Sequence, residues 1–283
     1  MNLLRGIFLK IYWTSTPIFC NFIIFNTSKM SRRNTWKIRI FIGLAIVAFA
    51  FMRKCASTET NPYTNREQAI ALDPQEEIML GVQSAPQMAA QHGGLYPDES
   101  LQAYVDRVGD KLVRNSVAAE SPYQYEFHLL TDDQTINAFA LPGGQIFITY
   151  ALFEKLNEDQ LAGVLGHEIG HVLGRHSSER IANTEFWQTV SQGANVGANA
   201  GDLIAGIGQN TLLTNGRGDE LESDDLGVLI MMNAGYDPYE MIRVMEILKE
   251  AAGPNRAPEF QSTHPDPDNR IERIREAIEK YGG

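Results

Sequence analysis

The 283-residue chain carries 24 Lys/Arg against 35 Asp/Glu, a formal net charge of −11 at pH 7, with 43% hydrophobic residues. The charge is uneven: residues 1–54 hold nine of the basic residues (Arg5, Lys10, Lys29, Arg32, Arg33, Lys37, Arg39, Arg53, Lys54) and none of the acidic ones. The acidic body that follows argues against nucleic acid as a partner, because phosphate binding needs a concentrated basic face. The only cysteines are Cys20 and Cys55, so that body has no disulfide or thiolate site, and any metal in it must be held by His and carboxylate.

In chain order, the first feature is the apolar run Ile40–Met52. As a helix its length is about 20 Å, short of a hydrocarbon core of roughly 30 Å. Arg39 and Arg53 can snorkel to extend it. With Arg32, Arg33, Lys37 and Arg39 ahead of it, residues 1–54 read as a targeting head, either a signal peptide or a signal anchor. The export signal begins at Met30, which is the expected start of translation. A mitochondrial presequence is the competing reading. Residues 55–66 are polar and turn-rich and read as a linker, which leaves 67–283 as the folded domain.

Helices are expected at roughly 75–91 and 98–118; Leu101, Tyr104, Val105, Val108 and Leu112 give the second a single buried stripe. Tyr123–Leu130 alternates as a strand, and Asn137–Leu141 and Gln145–Tyr150 flank the turn signal Pro142-Gly143-Gly144. A helix should begin at Asn157, with Gln160 completing a capping box, and run to about Ser177. Residues 185–218 space Gly193, Gly197, Gly201 and Ala205 four apart, which fits either a mobile lid or close helix packing. Helices follow at 219–233, up to Ala251 and after Pro267.

The chemistry lies in His167-Glu168-Ile169-Gly170-His171. Residues four apart share a helix face, so both imidazoles can reach one zinc ion at about 2.0–2.1 Å. Glu168 lies beside that face, where its carboxylate can accept a proton from a metal-activated water. The bland alternative is a charged helix face with two incidental histidines. A catalytic zinc also needs a third protein ligand and an open fourth position. Glu220 and Asp224, again four apart, could supply a ligand and its support. They could equally be a solvated acidic first turn.

The motifs resemble the gluzincin family that includes the CAAX prenyl endoprotease, the heat-shock membrane protease HtpX and the periplasmic beta-barrel assembly-enhancing protease. They are Asn137-Ala-Phe-Ala-Leu-Pro-Gly-Gly144, His167-Glu-Ile-Gly-His171 continuing to Arg175-His176, Glu220-Leu-Glu-Ser-Asp224, and His264-Pro265 with Arg270. The resemblance covers roughly residues 70–280 and is strongest to compact, signal-bearing envelope members. It implies an α+β, mainly helical zincin-type domain with a small sheet beside the active-site helix. It also implies one Zn2+ per chain, with Glu220 as third ligand and Asp224 supporting a ligand histidine. Ser223 stands where the family usually has Ala, and both are small.

On the same resemblance, His264 either assists the transition state or occupies the open metal position, and Arg270 is structural or oxyanion-stabilising. The strand containing Gln145, Ile146 and Phe147 reads either as an edge that pairs with extended substrate or as part of a plain core hairpin, and the resemblance favours the first. His176 is expected to pack or to support a ligand; His92 and His128 look incidental. The function expected is a metalloendopeptidase acting on unfolded, misfolded or membrane-associated proteins of the bacterial envelope, with the mitochondrial inner membrane as the alternative location. A zinc-stabilised chaperone-like module, or a hydrolase of non-peptide bonds, are the competing readings.

Overall fold

The computed structural model describes residues 32–251, 264 and 269–282. The expected start at Met30, along with Cys20, Pro265 and Pro267, lies outside them. Helix α1 spans Arg32–Ala56, longer at both ends than the apolar run because the flanking basic residues are helical too. Its segment Thr35–Ala56, with mean hydropathy 1.7, is long and apolar enough to cross a membrane.

Residues 55–66 are not a loose linker. After α1, strands β1 (Thr58–Thr60) and β2 (Glu67–Ala69) form an antiparallel hairpin. Asn61 organises its turn, accepting from the backbone N–H groups of Tyr63 and Thr64. The hairpin also closes the far end of the central helix. Asn61 Nδ2 donates to Leu173 O and Gln68 Nε2 to Gly174 O, two carbonyls at that helix end.

Helix α2 (Pro74–Gln91) starts at a capping box made by Asp73 and Glu76. Helix α3 (Glu99–Arg114) carries the whole apolar stripe but stops short of the expected end near 118, giving way to a 3-10 turn at Val117–Glu120. The sheet comprises β3 (Glu126–Leu130), β4 (Ala138–Ala140) and β5 (Gln145–Thr149) in the order β3-β5-β4. β4 and β5 make the expected hairpin across Pro142–Gly144; β3 joins the other side of β5 in parallel. A short helix, α4 (Tyr150–Phe153), leads on to the central one.

Helix α5 (Glu158–Leu173) begins at the expected Asn157–Gln160 capping box. It is buried on almost every side, with Leu161, Leu165, Ile169 and Leu173 at 0–1% exposure, so neighbours cover it all round. Its core partners include Val105, Val108 and Leu112 of α3 and Ile146 and Ile148 of β5. α5 does not continue to Ser177. Arg175 adopts a left-handed backbone (φ 55°), and α6 (His176–Ala198) restarts at the next residue. The buried Arg175 guanidinium accounts for the break: it bonds Glu77 at 3.1 Å, Leu72 O at 2.7 Å and Glu59.

Helices α6 and α7 (Gly201–Asn233) make a long hairpin over the segment that fitted either a lid or close packing, and the packing is close. A Cβ on Gly43 of α1 would stand 2.5 Å from Gly193 O, so α1 and α6 touch backbone to backbone. Phe186 and Val190 bury against Ala50 below that contact, and Arg39 bonds Val196 O and Asn199 above it. Helices α8 (Glu240–Ala251) and α9 (Arg270–Gly282) complete the core through Met241, Val244, Ile274 and Ile278.

Candidate metal centre

Helix α7, the start of α9 and His264 converge on the second half of α5. The closest approach is at Gly170, between the two motif histidines, where a Cβ would meet Ser223 O of α7 at 2.8 Å. The bare backbone at Gly170 and the small Ser223 let α7 lie against α5, which brings Glu220 and Asp224 under the imidazoles. Arg270, at the start of α9, and His264 close the remaining side.

Four side chains face one point. His167 Nε2 lies 3.0 Å from His171 Nε2 and 3.3 Å from Glu220 Oε2, and His171 Nε2 lies 3.4 Å from Glu220 Oε1. His264 Nδ1 is 3.4 Å from His167 Nε2 and 3.2 Å from both Glu220 oxygens. Bonds of about 2.0–2.1 Å at tetrahedral angles would put donor atoms about 3.3–3.4 Å apart. The observed spacings therefore suit one small tetrahedral cation, and these four side chains could hold a metal ion.

The surrounding groups fit the same reading. Neither oxygen of the fully buried Glu168 carboxylate has a hydrogen-bond partner; His264 Nε2 stands 3.5 Å from Oε1 without bonding it. A buried carboxylate with no hydrogen-bond donor is costly, which fits a group placed to work beside a metal ion. Burial pushes the Glu168 carboxyl above its ordinary value. Burial pulls the His167 ring down, but its bonds to Asp224 and Glu220 prevail and raise it to about 9.

Asp224 Oδ1 lies 2.9 Å from His167 Nδ1, and Arg270 holds that carboxylate from Nε (2.6 Å) and Nη2 (2.9 Å). Arg270 Nη1 also reaches Glu220 Oε2 at 3.3 Å. Sequence reasoning singled out all of these residues except for one feature of the surroundings: His176 lies 2.8 Å from His171 Nδ1 and 2.7 Å from Glu222, a residue not picked out.

The expected substrate strand needs correction. Gln145, Ile146 and Phe147 lie on the central strand, with β3 on one side and β4 on the other, and are buried. Their main chain has no open edge to offer. Among the described residues, the sheet edge near the centre is β4. Asn137 O and Leu141 N bond back to Thr149 and Gln145, so the main-chain groups of Ala138 and Ala140 alternate outward. Ala138 O already lies 3.2 Å from His264 Nε2. The remaining histidines lie apart from the cluster: His92 bonds Asp132, and His128 bonds Gln145 and stacks on Phe147.

Comparison with known proteins agrees with this geometry. The model of peptidase family M48 matches residues 99–278. The beta-barrel assembly-enhancing protease of Escherichia coli K12 is 30% identical over 246 residues, which is 81% of this chain and 48% of that protein. Its Yersinia pestis counterpart is 31% identical over 216 residues, 71% of this chain and 43% of that protein. The mitochondrial metalloendopeptidase OMA1 of Schizosaccharomyces pombe is 35% identical over 180 residues, 61% of this chain and 52% of that protein. The chain thus spans about half the length of the curated relatives it matches. On the extent of the family match and of these alignments, the chain belongs to peptidase family M48.

Proposed function

We propose that the chain is a zinc metalloendopeptidase, with His167, His171 and Glu220 as ligands and Glu168 as general base. The observation that carries this is the close convergence of the donor atoms beside a buried carboxylate that has no hydrogen-bond partner. Two imidazoles, a carboxylate and no thiolate suit zinc among the common cations. When bound, the ion would acidify a water and polarise the scissile carbonyl. Glu168 takes the proton from the attacking water and delivers it to the leaving amine. Its burial, which favours the protonated form, suits the second half of that exchange. Asp224, gripped by Arg270, holds His167 with Nε2 toward the ion.

Substrate is an extended polypeptide, held by main-chain pairing to the outward groups of Ala138 and Ala140 on β4. Pairing there displaces His264 Nε2 from Ala138 O. With α1 as its membrane anchor, the enzyme acts on misfolded or membrane-associated proteins of the bacterial envelope; the resemblance to OMA1 makes the mitochondrial inner membrane the alternative site.

One observation favours a second reading, a zinc-stabilised module that binds unfolded protein and seldom cuts. Four protein donors make a closed site, the pattern of structural zinc. Incubating the purified chain with an unfolded protein, with and without chelator, separates the two. Chelator-sensitive cleavage supports the peptidase, and binding without cleavage by both the native chain and His264→Ala supports the module.

A further inference from the structure

The two ligand histidines of the proposed site are braced differently. His167 is held by Asp224 and Arg270. His171 turns its Nδ1 the other way, 2.8 Å from His176 Nδ1. His176 Nε2 lies 2.7 Å from Glu222 Oε2, and Arg66 meets that carboxylate with Nε at 3.2 Å and Nη2 at 3.1 Å. Arg66 sits on the β1–β2 hairpin, well before residues 99–278, where the family model matches.

The chemistry of these groups sets the direction of the chain. An ionised Glu222 only accepts, so His176 Nε2 carries the hydrogen between them. A neutral His176 is then an acceptor at Nδ1, and His171 donates from its own Nδ1. That leaves the lone pair of His171 Nε2 facing Glu220 and His167, as a metal ligand requires.

The local sequence is built for this contact. Gly174 leaves room for the His176 ring, since a Cβ there would lie 2.3 Å from His176 Nε2. The left-handed Arg175 turns the chain so that α6 begins with His176 pointing back at α5. Arg66 is further fixed by Glu179 at 2.7 Å and Asp219 at 3.5 Å, so one hairpin residue ties α6 to α7. Asn61 and Gln68 fasten the same hairpin to the end of α5.

We propose that Arg66 is a positioning residue for the metal ligand His171, acting through Glu222 and His176. The hairpin that joins α1 to the domain is thus part of the metal centre. The inference rests on the zinc site proposed above, and the test separates the two.

The full chain and its variants Arg66→Ala, Arg66→Lys and His176→Ala would be titrated with Zn2+ against a chromophoric chelator. Each would also be loaded with Co2+ for its visible spectrum, and the metal-free melting temperature recorded. Arg66→Ala and His176→Ala should weaken Zn2+ binding about 10–100-fold and alter the Co2+ bands, with Arg66→Lys recovering part of both. Native Zn2+ affinity and an unchanged Co2+ spectrum in Arg66→Ala and His176→Ala would overturn the proposal, even if melting fell, because that is what a merely structural hairpin gives. Should Arg66→Ala fail to fold, His176→Ala and Arg66→Lys decide by the same two readouts. A native chain that binds no Zn2+ would overturn the site itself, a different result from native-like variants of a chain that does.

Discussion

His167 and His171 lie one turn apart on α5, yet they are held from opposite ends of the chain. His167 is braced by α7 and α9 through the Asp224–Arg270 pair, whose side chains are only 2% and 3% exposed. His171 is braced by the N-terminal hairpin through Arg66, which is 34% exposed, and the half-buried Glu222. The first brace works in the dry interior, where losing one partner leaves the other's buried charge less well compensated. The second works near water, where each single link is weaker and several must act together. Glu220 serves both sides, lying within 3.4 Å of each ligand nitrogen.

That difference orders the expected effects of mutation. Glu220→Ala should have the largest, because it strips both halves of their shared partner. The purified variant should retain no stoichiometric metal by elemental analysis and show no proteolysis. Asp224→Asn comes next. It removes the charge of the carboxylate that grips the buried Arg270 at two points, at about 3–5 kcal/mol by urea denaturation, and should cost about 10–100-fold in metal affinity. A change of that size in stability from Arg66→Ala would erase the contrast between the two braces.

The folded pKa of His167, about 9, lies above the ordinary 6.5, so the metal-free ring is protonated at neutral pH. Stability gained through its bonds to Asp224 and Glu220 is fully present below 6.5 and is lost as pH rises through about 9. A metal ion needs the neutral ring. Zn2+ affinity should therefore climb by up to about tenfold per pH unit and level off near 9. Titrations across that range check it, and a flat profile would mean the Asp224 brace does not hold a proton there.

The smallest effect is expected at Gly43→Leu. The new side chain meets Gly193 O and Gly197 backbone, so α1 must move off α6, at about 1–3 kcal/mol by thermal melting in detergent. Zn2+ affinity should stay native, because the hairpin rather than the helix touches the centre.

The side of the site that holds His167 was largely legible in the sequence. His167, Glu168 and His171 declare themselves by four-residue spacing, and Asn157 with Gln160 marks the start of their helix. Glu220 and Asp224 gave a face but not a role, which the family resemblance supplied. The other side was hidden for physical reasons. Gly174-Arg175 reads as a helix end only once the buried partners of Arg175 are known, and those lie about a hundred positions away. Arg66 and Glu222 are 156 residues apart and belong to no local pattern. Residues 55–66 have the composition of a linker, because a small hairpin with polar caps uses the same residue types. The order β3-β5-β4 depends on a parallel pairing that local alternation cannot reveal, which is why β5 looked like an edge and β4 did not.

Glu168 acting as a base beside a bound ion is the central claim, and one variant tests it directly. Glu168→Gln keeps the size of the side chain and removes its proton-accepting charge. The variant should bind one Zn2+ per chain like the native protein, and its cleavage of an unfolded substrate should fall by about 10²–10⁴-fold. Native-like cleavage by a zinc-loaded Glu168→Gln protein would contradict the account.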